Sequence, residues 1–142
     1  MPLTSDEDIA DLLRSSARIA MVGASGRPDR PSFGVLAYLL AHGYDVMPIN
    51  PGLSGQRIQA QPVIDSLSNI TDPVDLVDIF RSSEAAGDAV DAAIAHGAKA
   101  VWMQIGVINH AAAERAEAAG LKVVMDRCPK VEMARLGITG PA

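Results

Sequence analysis

The sequence predicts an α/β fold, a Rossmann-like doubly wound parallel sheet of five strands with helices on both faces. Short apolar runs alternate with longer stretches of helical period along the chain. The runs are nearly unbroken, as strands buried on both faces must be. Hydrophobic residues make up 49% of the chain and aromatics only 4%, and small aliphatics suit a sheet held between helices.

The elements follow in order. Thr4-Ser5-Asp6-Glu7 reads as a capping box with Thr4 as N-cap. Ile9, Leu12 and Leu13 share one face behind it, which gives a helix over about residues 5–16. Arg18–Val22 is the first strand and ends in glycine, and the polar stretch from Ser25 to Ser32 is a loop. Ser32–Leu40 reads as a helix that Gly43 stops. Tyr44–Ile49 is the second strand, halted by Asn50-Pro51-Gly52; Pro48 within it marks an irregular end or a missing ladder bond. Residues 52–72 are the least regular, with one short helix expected near Val63–Leu67.

Val74–Phe80 is the third strand, and Glu84–His96 is an alanine-rich helix closed by Gly97. Ala98–Gln104 is the fourth strand. Asn109 caps a further helix that Gly120 closes, and Leu121–Asp126 is the fifth strand. A short helix follows from Pro129 to Arg135. The length of 142 residues fits a single domain over 1–142. Right-handed crossovers give the expected strand order 3-2-1-4-5, with the topological switch point between strands 1 and 4.

A net charge of -5 argues against a general nucleic-acid binder. The single cysteine, Cys128, excludes an intramolecular disulfide and suits a reducing compartment. The N-terminus is acidic and lacks the apolar core of a secretory signal, and no apolar run approaches the roughly 20 residues needed to span a bilayer. A cytoplasmic protein that binds neither nucleic acid nor membrane is expected.

In an open parallel sheet, ligands sit beyond the carboxyl ends of the strands. The loops that count begin at Gly23, Asn50, Phe80-Arg81, Gln104 and Asp126-Arg127-Cys128. Six of the 12 lysines and arginines fall on or near them: Arg27, Arg30, Arg57, Arg81, Arg127 and Lys130. That distribution prepares one rim for a polyanion. Gly23 allows a sharp turn off the first strand. Ala24 and Ser25 are small, so a phosphate can approach the backbone amides and the next helix N-terminus. A dinucleotide site usually ends its second strand in Asp or Glu to hold the ribose hydroxyls. Here Ile49-Asn50-Pro51 stands instead, which counts against NAD and favours a different ribose, such as one with a 3′-phosphate.

Five segments together resemble a known family. They are Val22-Gly23-Ala24-Ser25 with Arg30-Pro31-Ser32, Gly43-Tyr44 to Pro48-Ile49-Asn50-Pro51, Val74 to Phe80-Arg81, Val101-Trp102-Met103-Gln104-Ile105-Gly106-Val107, and Asp126-Arg127-Cys128. The chain resembles the small stand-alone CoA-binding proteins of bacteria and archaea. Their fold is similar to the N-terminal CoA-binding domain of the succinyl-CoA synthetase α subunit. The resemblance implies coenzyme A, or an acyl-CoA, as the ligand. It implies that Gly23, Ala24 and Ser25 bind the pyrophosphate with Arg27 and Ser32 nearby, and that Asn50 and Pro51 border the adenosine. It further implies that Phe80 and Arg81 lie beside the adenine or pantetheine, and that Gln104 and Gly106 line the far wall. No segment resembles the synthetase's phosphohistidine loop, so ligase activity does not carry over.

Cys128 is read either as a nucleophile or mixed-disulfide partner for the CoA thiol, or as a small buried hydrophobe. His42 and His96 each precede a helix-ending glycine and read as partners of the last-turn carbonyls. Trp102 reads as packing. No Ser-His-Asp order and no metal-ligand cluster is legible, so neither catalytic nor metal residues are expected. The leading expectation is a non-catalytic CoA-binding protein, with an acyl-CoA enzyme as a partner. The alternatives are an NAD(P)-binding oxidoreductase, an acyl-CoA-handling enzyme that uses Cys128, and a subunit whose partner chain supplies the chemistry.

Overall fold

Regular structure begins where Ser5 caps the first helix, its hydroxyl accepting the Asp8 amide at 3.1 Å. Ser5, rather than the expected Thr4, is therefore the N-cap. In this computed structural model, which describes residues 1–142, helix α1 spans Asp6–Ser15 and leads into strand β1, Arg18–Val22. Helix α2 (Pro31–Ala41), strand β2 (Asp45–Ile49), a short hairpin of β3 (Arg57–Ile58) and β4 (Gln61–Pro62), and strand β5 (Leu76–Ile79) follow. Then come α3 (Ser83–His96), β6 (Ala100–Met103), α4 (His110–Ala118), β7 (Lys122–Val124) and α5 (Pro129–Leu136). The short helix expected near Val63–Leu67 is absent. The hairpin and two 3-10 turns, Pro51–Leu53 and Leu67–Asn69, occupy that region instead.

The main sheet has five strands, all parallel, in the order β2-β1-β5-β6-β7. The fold class is the one the sequence predicts, but the strand order is not. Counted over the five main strands it is 2-1-3-4-5 instead of 3-2-1-4-5. Pro48 gives the physical reason. A proline cannot donate to a ladder, so β2 belongs at an edge and not between two partners. Beyond β2 there is one isolated bridge, Ile49 to Ile64. Strand β5, in contrast, is buried at every position, as a central strand is. The switch point therefore lies between β1 and β5.

Alternation along the strands builds two cores. Ile19, Met21, Leu76 and Trp102 face α1, α2 and α5, where Ile9, Leu13, Leu36, Leu39 and Met133 meet them. Ala20, Val77, Ile79, Val101 and Met103 face α3 and α4, which approach through Ala86, Val90, Ala93, Ala112 and Ala116. The small side chains of α3 and α4 let those helices pack closely on the sheet and on each other. Trp102 is fully buried, and its Nε1 donates to the Arg127 carbonyl at 2.7 Å. The His42 ring meets the Tyr38 carbonyl within its own helix, 2.7 Å away. His96 instead reaches across to the Ile70 carbonyl at 2.9 Å, so it fastens α3 to the irregular segment.

An ion-pair chain closes the outer side. Glu132 in α5 is buried and receives both Arg127 at 2.7 Å and Arg135 at 2.9 Å, and Arg135 also reaches Asp6 of α1 at 2.8 Å. Burial works to raise the Glu132 carboxyl, but the two guanidinium bonds outweigh it and hold the group below its usual range.

Asp78 is the exception inside the sheet. It lies in register between Met21 and Trp102, is fully buried, and has no hydrogen-bond partner on either oxygen. Burial pushes its carboxyl well above the ordinary value, so the folded chain favours the protonated acid. The unfolded chain ionises this group near pH 4 and the folded chain resists doing so. Its contribution to stability is therefore present below pH 4 and lost as pH rises toward the folded-state value. Asp78→Asn removes that loss. The stability gap between variant and wild type should be flat below pH 4. Above it the gap should widen by up to about 1.4 kcal/mol per pH unit, read from urea denaturation between pH 3.5 and 8.

Candidate functional site

The site begins with a shared carbonyl. At the end of β1 the amides of Gly23 and Ala24 both donate to the Ile49 carbonyl of β2, at 3.1 and 3.2 Å. Asn50 completes the clamp. Its Nδ2 donates to the Ala24 carbonyl at 2.8 Å, and its Oδ1 accepts the Gly52 amide at 2.9 Å. The glycine loop is thus bolted to the end of the edge strand. On the other side it touches β5: a Cβ on Gly23 would stand 2.2 Å from the Phe80 carbonyl oxygen, and the residue sits at φ +84°. Gly23 is there because no other residue fits.

This geometry revises how an anion would be held. The Gly23 and Ala24 amides are already spent, so those residues supply shape. The amides of Ser25 and Gly26 have no internal partner. The Ser25 hydroxyl accepts the Arg27 amide at 3.1 Å, which leaves its own proton free to donate outward. Helix α2 opens with Pro31, which has no N–H, and its next residue, Ser32, is buried with neither its amide nor its hydroxyl engaged inside the protein. Of these, Ser25 from the loop and Ser32 from the helix N-terminus face one space.

That space is a cleft of about 770 Å³, within the range of roughly 300–1,000 Å³ typical of small-ligand sites. Of the residues that the sequence points to, Gly23, Ala24, Ser25, Arg27, Ser32, Asn50, Phe80, Arg81 and Gln104 line it. Pro51 is not in it. Pro51 lines an adjoining cleft of about 510 Å³, on the α3 side, which shares Gly23, Asn50, Phe80 and Arg81 with the first and adds Asp65, Ser66 and Asp88. Gly106 lines neither cleft. Its amide donates to Asp126 Oδ1 at 2.7 Å, and its φ of +83° turns the loop after β6. Arg30, Val35, Ser82, Ile105, Val107, Cys128 and Val131 also line the main cleft. Arg30 has a legible signal, since Pro31 at a helix start places the preceding residue at the N-cap. Cys128 stands on the loop after the fifth strand that the sequence also singles out, and the others arrive by tertiary packing.

The rim cations sort into two groups. Arg27 pairs with Asp29 at 3.0 Å, Arg57 donates to the Ala60 carbonyl at 2.9 Å, and Arg127 is held by Glu132. Lys130 stands 5.6 Å over the Tyr38 ring. Arg30 and Arg81 have no partner in the protein, and both line the main cleft. They are the cations available to an anionic ligand.

Gln104 lies at the opposite wall. It is 7% exposed, and its Oε1 is buried with no hydrogen-bond partner. A buried amide oxygen left unpaired costs about 1–3 kcal/mol, so it is an acceptor waiting for a donor. Phe80 and the buried Val107 line the same cleft. Cys128, also buried, closes this wall as the residue before α5.

An open parallel sheet with a glycine loop at its switch point defines the class of Rossmann-like α/β domains. Residues 17–134 match the model of a family described as CoA binding domain, and the chain belongs to that family. The uncharacterized protein YneT of Bacillus subtilis (strain 168) is 35% identical over 130 residues, which are 92% of this chain and 95% of that one. A hypothetical protein from Pyrococcus horikoshii OT3 has a similar structure, with a TM-score of 0.90, 38% identity and 96% of each chain covered. The dinucleotide-forming acetyl-coenzyme A synthetase 1 of Ca. Korarchaeum cryptofilum shares the fold, with a TM-score of 0.71 at 23% identity. There the likeness covers 82% of this chain and 27% of the synthetase.

Substitutions at the two loop glycines separate fit from tolerance. Gly23→Ala is expected to lower stability by at least about 1–3 kcal/mol, since a side chain there adds a positive-φ strain to a backbone collision. Gly26→Ala meets only Ile58 at 3.9 Å and should change the thermal midpoint little.

Proposed function

We propose that the main cleft binds coenzyme A or an acyl-CoA. The pyrophosphate rests on Ser25, Gly26 and Ser32, and the pantetheine arm runs past Phe80 to Gln104. Arg30 and Arg81 neutralise the phosphates, Gly23 and Ala24 shape the turn, and Arg27 adds a more distant positive charge. The adenosine lies toward Asn50 and Pro51, in the adjoining cleft that carries Asp65 and Ser66.

The observation that carries the reading is the orphaned Gln104 Oε1 within an apolar wall. A pantetheine arm is mostly aliphatic and carries amide N–H groups, so it suits both the wall and the unpaired acceptor. The nicotinamide half of a dinucleotide offers no such flexible, amide-bearing chain. Nor does β2 end in a carboxylate for a ribose diol, since Asn50 spends both its polar ends inside the protein. The role we infer is binding rather than catalysis, with an acyl-CoA enzyme as the natural partner. No helix is long and apolar enough to cross a membrane.

Calorimetric titration with CoA, NADP and ATP tests this. CoA should bind, and Arg30→Ala and Arg81→Ala should each weaken it by about tenfold, as expected for losing one charge-assisted contact. Ser25→Glu should abolish measurable binding through repulsion of the pyrophosphate. Binding of NADP without binding of CoA contradicts the assignment.

A further inference from the structure

We infer that the cleft is built for an acylated CoA, a thioester carrying a straight aliphatic chain, in preference to free CoA; the inference rests on the CoA reading above. The observation is where the chain leaves its apolar side chains uncovered. The large hydrophobic residues strongly exposed in this protein are Met1, Ile105, Ile108 and Val131. Apart from the terminal methionine, all belong to one neighbourhood. Ile105 and Ile108 stand on the loop after β6. Ile105 and Val131, exposed to 63% and 51%, line the same cleft as Gly23 and Ser25. Exposed apolar residues gathered at one place mark a binding surface, whereas scattered ones do not.

The β6 loop is not slack. The Gly106 amide donates to Asp126 Oδ1, the Ile108 amide donates to Ser83 Oγ at 3.0 Å, and the Ser83 hydroxyl donates to the Gly106 carbonyl at 3.2 Å. Asp126 adopts φ +60°, a left-handed conformation unusual for a residue other than glycine. A backbone pinned at both ends therefore holds Ile105 and Ile108 outward.

Position along the sheet names the occupant. The loop after β6 lies two strands from the glycine loop after β1, or about 10 Å at the usual interstrand spacing. A pantetheine arm that starts at the pyrophosphate passes Gln104 and brings its thiol to this end of the cleft. Free CoA ends there and leaves Ile105 and Val131 wet. An aliphatic acyl chain continues along the apolar lining that Phe80 and the buried Val107 begin. A methylene that fully leaves water gains about fourfold in affinity, and a half-open rim recovers about twofold.

The experiment is a calorimetric series of CoA, acetyl-CoA, butanoyl-CoA, hexanoyl-CoA and octanoyl-CoA on the full chain, with sedimentation of the unliganded protein alongside. Affinity should rise about twofold per methylene, so that octanoyl-CoA binds about sixtyfold tighter than acetyl-CoA. In the double variant Ile105→Ser, Val131→Ser the octanoyl to acetyl ratio should collapse toward one. If CoA binds but the series is flat in the wild type, the acyl inference is overturned and the CoA reading stands. The acyl inference is likewise overturned if the series is flat and the protein self-associates in a way that the double variant abolishes, because the patch then serves a second copy. If neither CoA nor any thioester binds, the CoA reading itself falls.

Discussion

The site depends on the way β1 is held at its carboxyl end. Two consecutive amides, Gly23 and Ala24, share the Ile49 carbonyl, and the Asn50 side chain ties the same turn from beyond the strand. With Phe80 pressed against Gly23 from the β5 side, the loop has one conformation open to it. That constraint decides which donors are left over. Because the first two amides are consumed, the free ones fall on Ser25 and Gly26, and the turn delivers the chain to Pro31 with Ser32 facing inward. Phosphate recognition here is a remainder, made of the polar groups that folding does not use.

The same logic separates the cations. Arg27 and Arg127 are neutralised by carboxylates and Arg57 is tied to a carbonyl, so the rim's potential is weaker than the number of its positive residues suggests. Arg30 and Arg81 escape because nothing acidic packs against them. Gln104 escapes because no donor of the protein reaches its buried side-chain oxygen. Three unspent groups on three different loops, all lining one cleft, give the cleft a polar and an apolar end.

Much of this is legible in the residues. The alternation of apolar runs with helical segments carries the fold class, and Gly97 and Gly120 close α3 and α4 where expected, each at positive φ. The strand order is harder to read. The usual dinucleotide-binding order competes with a single missing ladder donor at Pro48, and the missing donor decides. Asp78 is hidden for a different reason. An acid in an apolar strand reads as a sign of one wet face, and only the helices packed on both sides turn it into a buried carboxyl that favours its protonated form. The glycine loop is legible as a special turn, but which of its amides stay free is a tertiary fact set by Ile49. Local pattern does not place Val107 and Val131 in the cleft, since they reach it from the β6 loop and from α5, whereas Cys128 stands on a strand-end loop that the sequence marks as facing a ligand.

Backbone amide chemical-shift mapping by NMR during titration with CoA tests the central claim most directly, because the claim concerns particular unpaired groups. The Ser25, Gly26 and Ser32 amides and the Gln104 side chain should shift most and gain protection from exchange, while Gly23 and Ala24, already bonded to Ile49, should gain little protection. Saturable shifts confined to α4 and β7, or protection absent from Ser25 through Ser32, would contradict it.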